Sequence, residues 1–262
     1  MKRLISLIAL CLVTLCACQS DQTESELTVF AAASLTDAFN DIAQAFEAEY
    51  SVKVVVNFTG SSTLATQIIE GAAADVFASA NLQQMRRVSD NVLIAGDPVV
   101  FARNHLIVVV PVANRAGVRH LLDLASENVK IVLAASGVPI RGYVDLIMNH
   151  LAADAAYGAD FRAQFYENIV SEEDNVRQAL AKVILGESDA TFVYASDVQA
   201  AETRVKIVEI PAELQPTIEY PIVVLRTTDN TEAAEAFQAF VLGQSGQCIL
   251  KQYGLTPITD RC

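Results

Sequence analysis

The sequence predicts an α/β protein of mostly parallel sheets flanked by helices, and two features of the chain carry that expectation. Short runs rich in Val, Ile and Phe recur between segments whose apolar residues repeat at helical spacing, the alternation that builds strand–helix–strand units. The first two runs each enter a helix through a turn of small and hydroxyl residues, as at the carboxyl ends of neighbouring parallel strands, where open α/β sheets bind ligands. A length of 262 residues allows two modest domains. A composition of 52% hydrophobic residues with 7% aromatic and no Trp suits Ala-rich helices packed on Val and Ile strands.

Met1 to Ala17 reads as an export signal: Lys2 and Arg3 precede an apolar stretch, Leu4 to Leu15, too short to persist as a membrane-spanning helix. Leu15-Cys16-Ala17-Cys18 resembles a lipoprotein signal cleaved before a lipidated Cys18; ordinary secretory cleavage near Ala17 is the alternative, and either route exports the chain. Residues 18 to 26, polar after Cys18, form a tether.

Leu27 to Phe30 is the first strand. Ala31 to Ala33 then removes side-chain bulk, Ser34 is followed three residues later by Asp37, and Leu35, Ala38, Phe39 and Ile42 take up helical spacing. Such a turn offers unpaired backbone N–H groups and the positive end of a helix dipole to an anion. Taken alone, Ser34 is an ordinary N-cap with Asp37 as its capping-box partner. Val52 to Phe58 repeats the arrangement, running through Gly60, Ser61, Ser62 and Thr63 into a helix with Leu64, Ile68 and Ile69 on one face. One hydroxyl would suffice for a cap. Further strand-like runs are Val76 to Ser79, Leu106 to Pro111, Lys130 to Ala134, Thr191 to Tyr194, Val205 to Ile210 and Ile222 to Leu225. Ala134 to Tyr143 again joins strand to helix through small residues and Pro139, and Asp174 to Arg177 opens a helix carrying Val176, Ala179, Leu180, Val183 and Ile184.

The formal net charge is −13, and loss of Lys2 and Arg3 with the signal makes it −15. This argues against nucleic acid and against an anionic membrane surface as partners. An anionic ligand would have to be captured by local donors in a closed pocket. Catalytic signatures are lacking: His105, His120 and His150 are scattered without metal-ligand spacing, and no GxSxG or phosphate-binding loop occurs. Cys11 and Cys16 leave with the signal, so Cys248 and Cys262 remain, and export favours a disulfide between them over two free thiols.

Seven segments taken together carry a family resemblance. They are Phe30 to Phe39 (FAAASLTDAF), Gly60 to Ala65 (GSSTLA), Gly71 to Ala80 (GAAADVFASA), Gly137 to Pro139, Glu173 to Leu180 (EDNVRQAL), Phe192 to Asp197 (FVYASD) and Glu219 to Ile222 (EYPI). In this order they resemble the molybdate-binding proteins of bacterial ABC importers, from about Leu27 to the C-terminus. The resemblance implies a two-lobed periplasmic-binding-protein (Venus flytrap) fold with two hinge crossings. Residues 27 to 104 plus 222 to 262 would form lobe one, residues 105 to 221 lobe two, and closure of the lobes around a ligand is the expected motion.

The same resemblance implies an oxyanion site made of Ser34 and Ser61 from lobe one with the Ile140 and Val176 backbone N–H groups and the Tyr194 hydroxyl from lobe two. Molybdenum would be held as its oxyanion, molybdate or tungstate, with no direct metal ligand and no further cofactor. Smaller residues are usual where this chain has Ile140 and Arg141; Arg141 either points to solvent or turns inward and adds charge to the site. Donor-only contacts suit an unprotonated tetrahedral dianion, since a P–OH facing an N–H leaves two donors unpaired. The implied partners are a membrane permease and its ATPase, with the chain monomeric and not an enzyme. Alternatives are a binding protein or sensor for another tetrahedral oxyanion such as sulfate and, further off, a hydrolase.

Overall fold

The computed structural model describes residues 26 to 259, apart from 155, 156, 159 and 202, together with Cys262. The signal segment, Cys18 and the tether up to residue 25 lie outside the described residues. In chain order the elements are β1 (Glu26–Ala32), α1 (Thr36–Tyr50), β2 (Lys53–Thr59), α2 (Ser61–Ile69), β3 (Val76–Ala78), α3 (Leu82–Asp90), β4 (Ile94–Asn104) and β5 (Leu106–Pro111). They continue with β6 (Ile131–Ala134), α4 (Pro139–Ala153), α5 (Phe161–Glu167), β7 (Ile169–Glu173), α6 (Val176–Ile184), β8 (Thr191–Tyr194), α7 (Ala195–Val198) and β9 (Val205–Glu209). The chain closes with β10 (Ile218–Leu225), α8 (Thr231–Leu242), α9 (Gln244–Gln252) and β11 (Thr256–Pro257).

The larger sheet has the order β11-β4-β10-β3-β1-β2, and the intervening chain builds a β8-β5-β9 sheet and a β6-β7 pair. β1 pairs in parallel with both β2 and β3, which sets Ala32 opposite Thr59 and places the first two strand–helix turns side by side. The expectation of mostly parallel sheets is corrected here: β10 runs antiparallel to β3 and β4, and β5 runs antiparallel to β8 and β9. The cause is the double crossing, because β4 leaves the larger sheet and β10 re-enters it beside β4 in the opposite direction. β4 has no strand signature of its own, holding Gly96 at φ +82° with Asp97 and Pro98 following. Its partner supplies the order, and register shifts around Pro221 let the ladder pass a residue without an N–H.

Apolar faces fix the packing. Phe39, Ile42 and Phe46 of α1 are fully buried, with Phe39 set against Phe101 of β4 and Phe237 of α8 at ring separations of 5.7 and 6.2 Å. Around β5 and β8, Val108, Phe165, Phe192 and Val183 form the matching interior of the second unit. At the crossings, Gln215 accepts the Leu106 N–H at 3.0 Å and donates to the Leu106 carbonyl at 2.7 Å, clamping one to the other. Cys248 and Cys262 form a disulfide that ties the C-terminal residue to α9.

The two units meet closely. Asp37 of α1 accepts from Arg177 of α6 at 2.7 Å, and Gln84 of α3 donates to the Gly137 carbonyl at 3.0 Å. Gly60 sits at the tightest point: a Cβ there would lie 2.6 Å from the Asp174 carbonyl oxygen, well inside contact distance. Its φ of −61° and ψ of 136° suit any residue, so the absent side chain serves the approach of the two units and not the turn. Gly60→Ala is therefore expected to keep the helix content and fold while holding the units apart, read as a larger radius of gyration in X-ray scattering; an unchanged radius would show that the contact absorbs a methyl group.

Candidate functional site

Where the units meet, a small cavity is lined by residues that include Ser34, Ser61, Ile140, Val176 and Tyr194. All five predicted site residues thus border one space. Each stands at the start of a helix. Ser34 lies in a 3-10 turn leading into α1, Ser61 and Val176 are the first residues of α2 and α6, Ile140 is the second of α4, and Tyr194 caps α7. Helix-start N–H groups have no carbonyl four residues back, so Ile140 and Val176 present theirs unclaimed by the helix. At α6 the cap makes this explicit: Asn175 Oδ1 takes the Arg177 and Gln178 N–H groups at 3.0 and 3.1 Å, leaving the Val176 N–H in front of them.

The two serines are polarised by their surroundings. Ser61 Oγ accepts the Ala80 N–H at 3.0 Å, and Ser34 Oγ lies 3.0 Å from the Tyr220 hydroxyl. The capping-box reading of Ser34 and Asp37 does not hold, because the intervening turn is 3-10 and no side chain caps α1. Asp37 instead turns to Arg177. The Tyr194 hydroxyl is fully buried and has no hydrogen-bond partner among the described residues, an unsatisfied group at the cavity wall. Burial also pushes its pKa well above the ordinary tyrosine value, so it remains an O–H donor.

Behind this wall lies an ion chain. Asp197, fully buried, accepts the Tyr194 N–H at 3.1 Å and pairs with Arg177 Nε at 2.8 Å, while Arg177 reaches on to Asp37. Burial raises the Asp197 pKa to about 6, opposed chiefly by the Arg177 guanidinium. Burial alone would lower the Arg177 pKa, but Asp197 and Asp37 outweigh it and the net shift is upward. The chain holds Tyr194, the α6 start and α1 together while keeping its charges off the cavity lining, which is neutral throughout. Arg141 follows neither sequence expectation. Its side chain is 12% exposed, pairs with Asp145 at 3.0 Å and with Glu172, and lies over the Tyr166 ring, away from the cavity.

Ile140 is accommodated as part of the core, 2% exposed, at the edge of the cavity that it also lines. Sequence reasoning missed Asn175, Asn104 and Tyr220. Asn175 and Tyr220 fall within the family segments but carry no local signal of a role, and Asn104 lies at the hinge crossing. No group of three or more His, Cys, Asp or Glu side chains placed to hold a metal ion occurs among the described residues, and no helix among them is long and apolar enough to cross a membrane.

Comparison with known proteins places this geometry in context. Residues 27–256 match the family model described as bacterial extracellular solute-binding protein. The molybdate-binding protein ModA of Mycobacterium tuberculosis is 37% identical over 234 residues, covering 89% of this chain and 85% of the relative. Among solved structures, the periplasmic molybdate-binding protein of Azotobacter vinelandii superposes with a TM-score of 0.75 at 21% identity, covering 89% of this chain and all of the other. The sulfate-binding protein SubI of M. tuberculosis superposes with a TM-score of 0.80 at 20% identity, covering 90% and 88%. At those identities the structures show a shared two-lobed fold, and the family model and the sequence relative show descent. The chain belongs to the family of bacterial extracellular solute-binding proteins.

Proposed function

We propose that this chain captures molybdate, and tungstate with it, between its two lobes and delivers it to a membrane permease and its ATPase. The observation that carries this reading is a small, neutral cavity to which both sides bring hydrogen-bond donors. Ser34, Ser61 and Tyr194 offer hydroxyl protons, and Ile140 and Val176 offer backbone N–H groups. The enclosed space is small, far below the usual range for organic ligands. Converging helix starts supply positive potential without a formal charge. A tetrahedral dianion brings four acceptor oxygens and no proton, and so answers every donor.

Binding without turnover follows from the same lining, which holds no His, Asp, Glu, Lys or Cys to act as base or nucleophile. The mature chain is proposed to act as a monomer held to the membrane by a lipid on Cys18. Sulfate is the second reading, favoured by the fold shared with SubI and by its equal lack of protons. The 37% identity to a molybdate-binding protein weighs more than a fold shared at 20%.

Calorimetric titration with molybdate, tungstate, sulfate and phosphate tests the ligand class. The first two should bind tightly at one site and the others weakly; stronger sulfate binding would favour the second reading, and silence with all four would remove both. Ser61→Ala and Tyr194→Phe should each weaken molybdate binding by about 1–3 kcal/mol without lowering the melting temperature appreciably. Unchanged affinity in both variants would take these residues out of the site.

A further inference from the structure

Ser34 is the cavity donor whose partner comes from the hinge. Its Oγ lies 3.0 Å from the Tyr220 hydroxyl, and Asn104 Nδ2 donates to that hydroxyl at 3.4 Å. At the far end of this chain the Asn104 amide has a fixed orientation. Asn104 Oδ1 accepts the His105 backbone N–H at 3.0 Å, which orients the amide so that Nδ2 faces Ser196 Oγ at 2.9 Å and Tyr220 beyond it. An amide nitrogen only donates. The Tyr220 oxygen therefore accepts a hydrogen bond from Asn104, which leaves its own proton available to Ser34. Burial pushes the Tyr220 pKa well above the ordinary value, so that proton stays in place. With Tyr220 as the donor, Ser34 has its single hydroxyl proton left for the cavity that it lines.

We propose that Asn104 and Tyr220 determine specificity as positioning residues: their relay makes Ser34 an obligate donor, so the site accepts oxyanions that carry no proton and rejects those that keep one. Neither residue lines the cavity. They act from the ends of β4 and β10, the two strands of the crossing, where Asn104 pairs with Ile218. Without the relay, Ser34 could rotate, accept a P–OH proton and bind hydrogen phosphate. This inference rests on the oxyanion reading, but not on which tetrahedral dianion is the cargo.

The test is a double-mutant cycle on the exported chain, titrating Tyr220→Phe, Ser34→Ala and the double variant with molybdate and with hydrogen phosphate. Tyr220→Phe keeps the ring that packs edge-on against Phe101 and beside Tyr194. It should weaken molybdate about tenfold, the value of roughly one hydrogen bond. Hydrogen phosphate should hold or gain, and both effects should vanish in the Ser34→Ala background. Equal weakening of both anions, or the same loss with Ser34 already removed, would show that Tyr220 merely packs and would overturn the relay. If Tyr220→Phe does not fold, Asn104→Ala, which removes the donor that orients Tyr220, enters the same cycle. Should wild type prefer sulfate to molybdate, the cargo assignment fails and the cycle run on sulfate still decides the relay; no response to any oxyanion would overturn both.

Discussion

A charged ion can be held in a neutral cavity only if enough oriented donors reach it at once, and no single helix start or side chain here supplies them. The architecture answers that constraint. Ser34 and Ser61 come from turns after β1 and β2, while Ile140, Val176 and Tyr194 come from the starts of α4, α6 and α7. The five groups border one space because the two units meet, so a ligand held by all of them would be enclosed by both. An anion would be desolvated by the same movement that brings its last donors into reach.

Other features serve that meeting. Gly60 lets backbone approach backbone beside the cavity, and the chain from Asp37 through Arg177 to Asp197 joins α1 to the elements that present Val176 and Tyr194. The charges of that chain are paired with one another and stay behind the wall, which leaves the cavity lining neutral. A cation in the lining would bind anions less selectively, because a point charge does not count oxygens or protons as fixed donors do. A net charge of −13 offers an anion no long-range attraction, so capture of one would rest on local donors and their geometry.

Local signals made the strand–turn–helix junctions around Ser34 and Ser61 legible in the sequence, since small residues, hydroxyls and the change of period all fall within a dozen positions. Ile140 and Val176 were reachable only through family resemblance, because a backbone N–H leaves no mark on residue identity. Tyr220 stands 186 positions from Ser34, and nothing near either residue foretells their contact. β4 was hidden by Gly96, Asp97 and Pro98, and the parallel character of the sheets was overestimated for the same reason: the β4–β10 ladder is a tertiary product of two crossings. The capping-box reading of Ser34 failed because Asp37 has a stronger partner across the interface in Arg177. Arg141 was legible as a choice between solvent and site, and the structure gives it a third place among Asp145, Glu172 and Tyr166.

The measurement that bears most directly on this picture is a crystal structure grown with molybdate and recorded at a wavelength where molybdenum scatters anomalously. A single strong peak is expected in the cavity, with oxygens within hydrogen-bond distance of the Ser34, Ser61 and Tyr194 hydroxyls and of the Ile140 and Val176 nitrogens, and with no carboxylate or imidazole touching the metal. A peak elsewhere, or molybdenum bound directly by protein side chains, would contradict capture by neutral donors between the lobes.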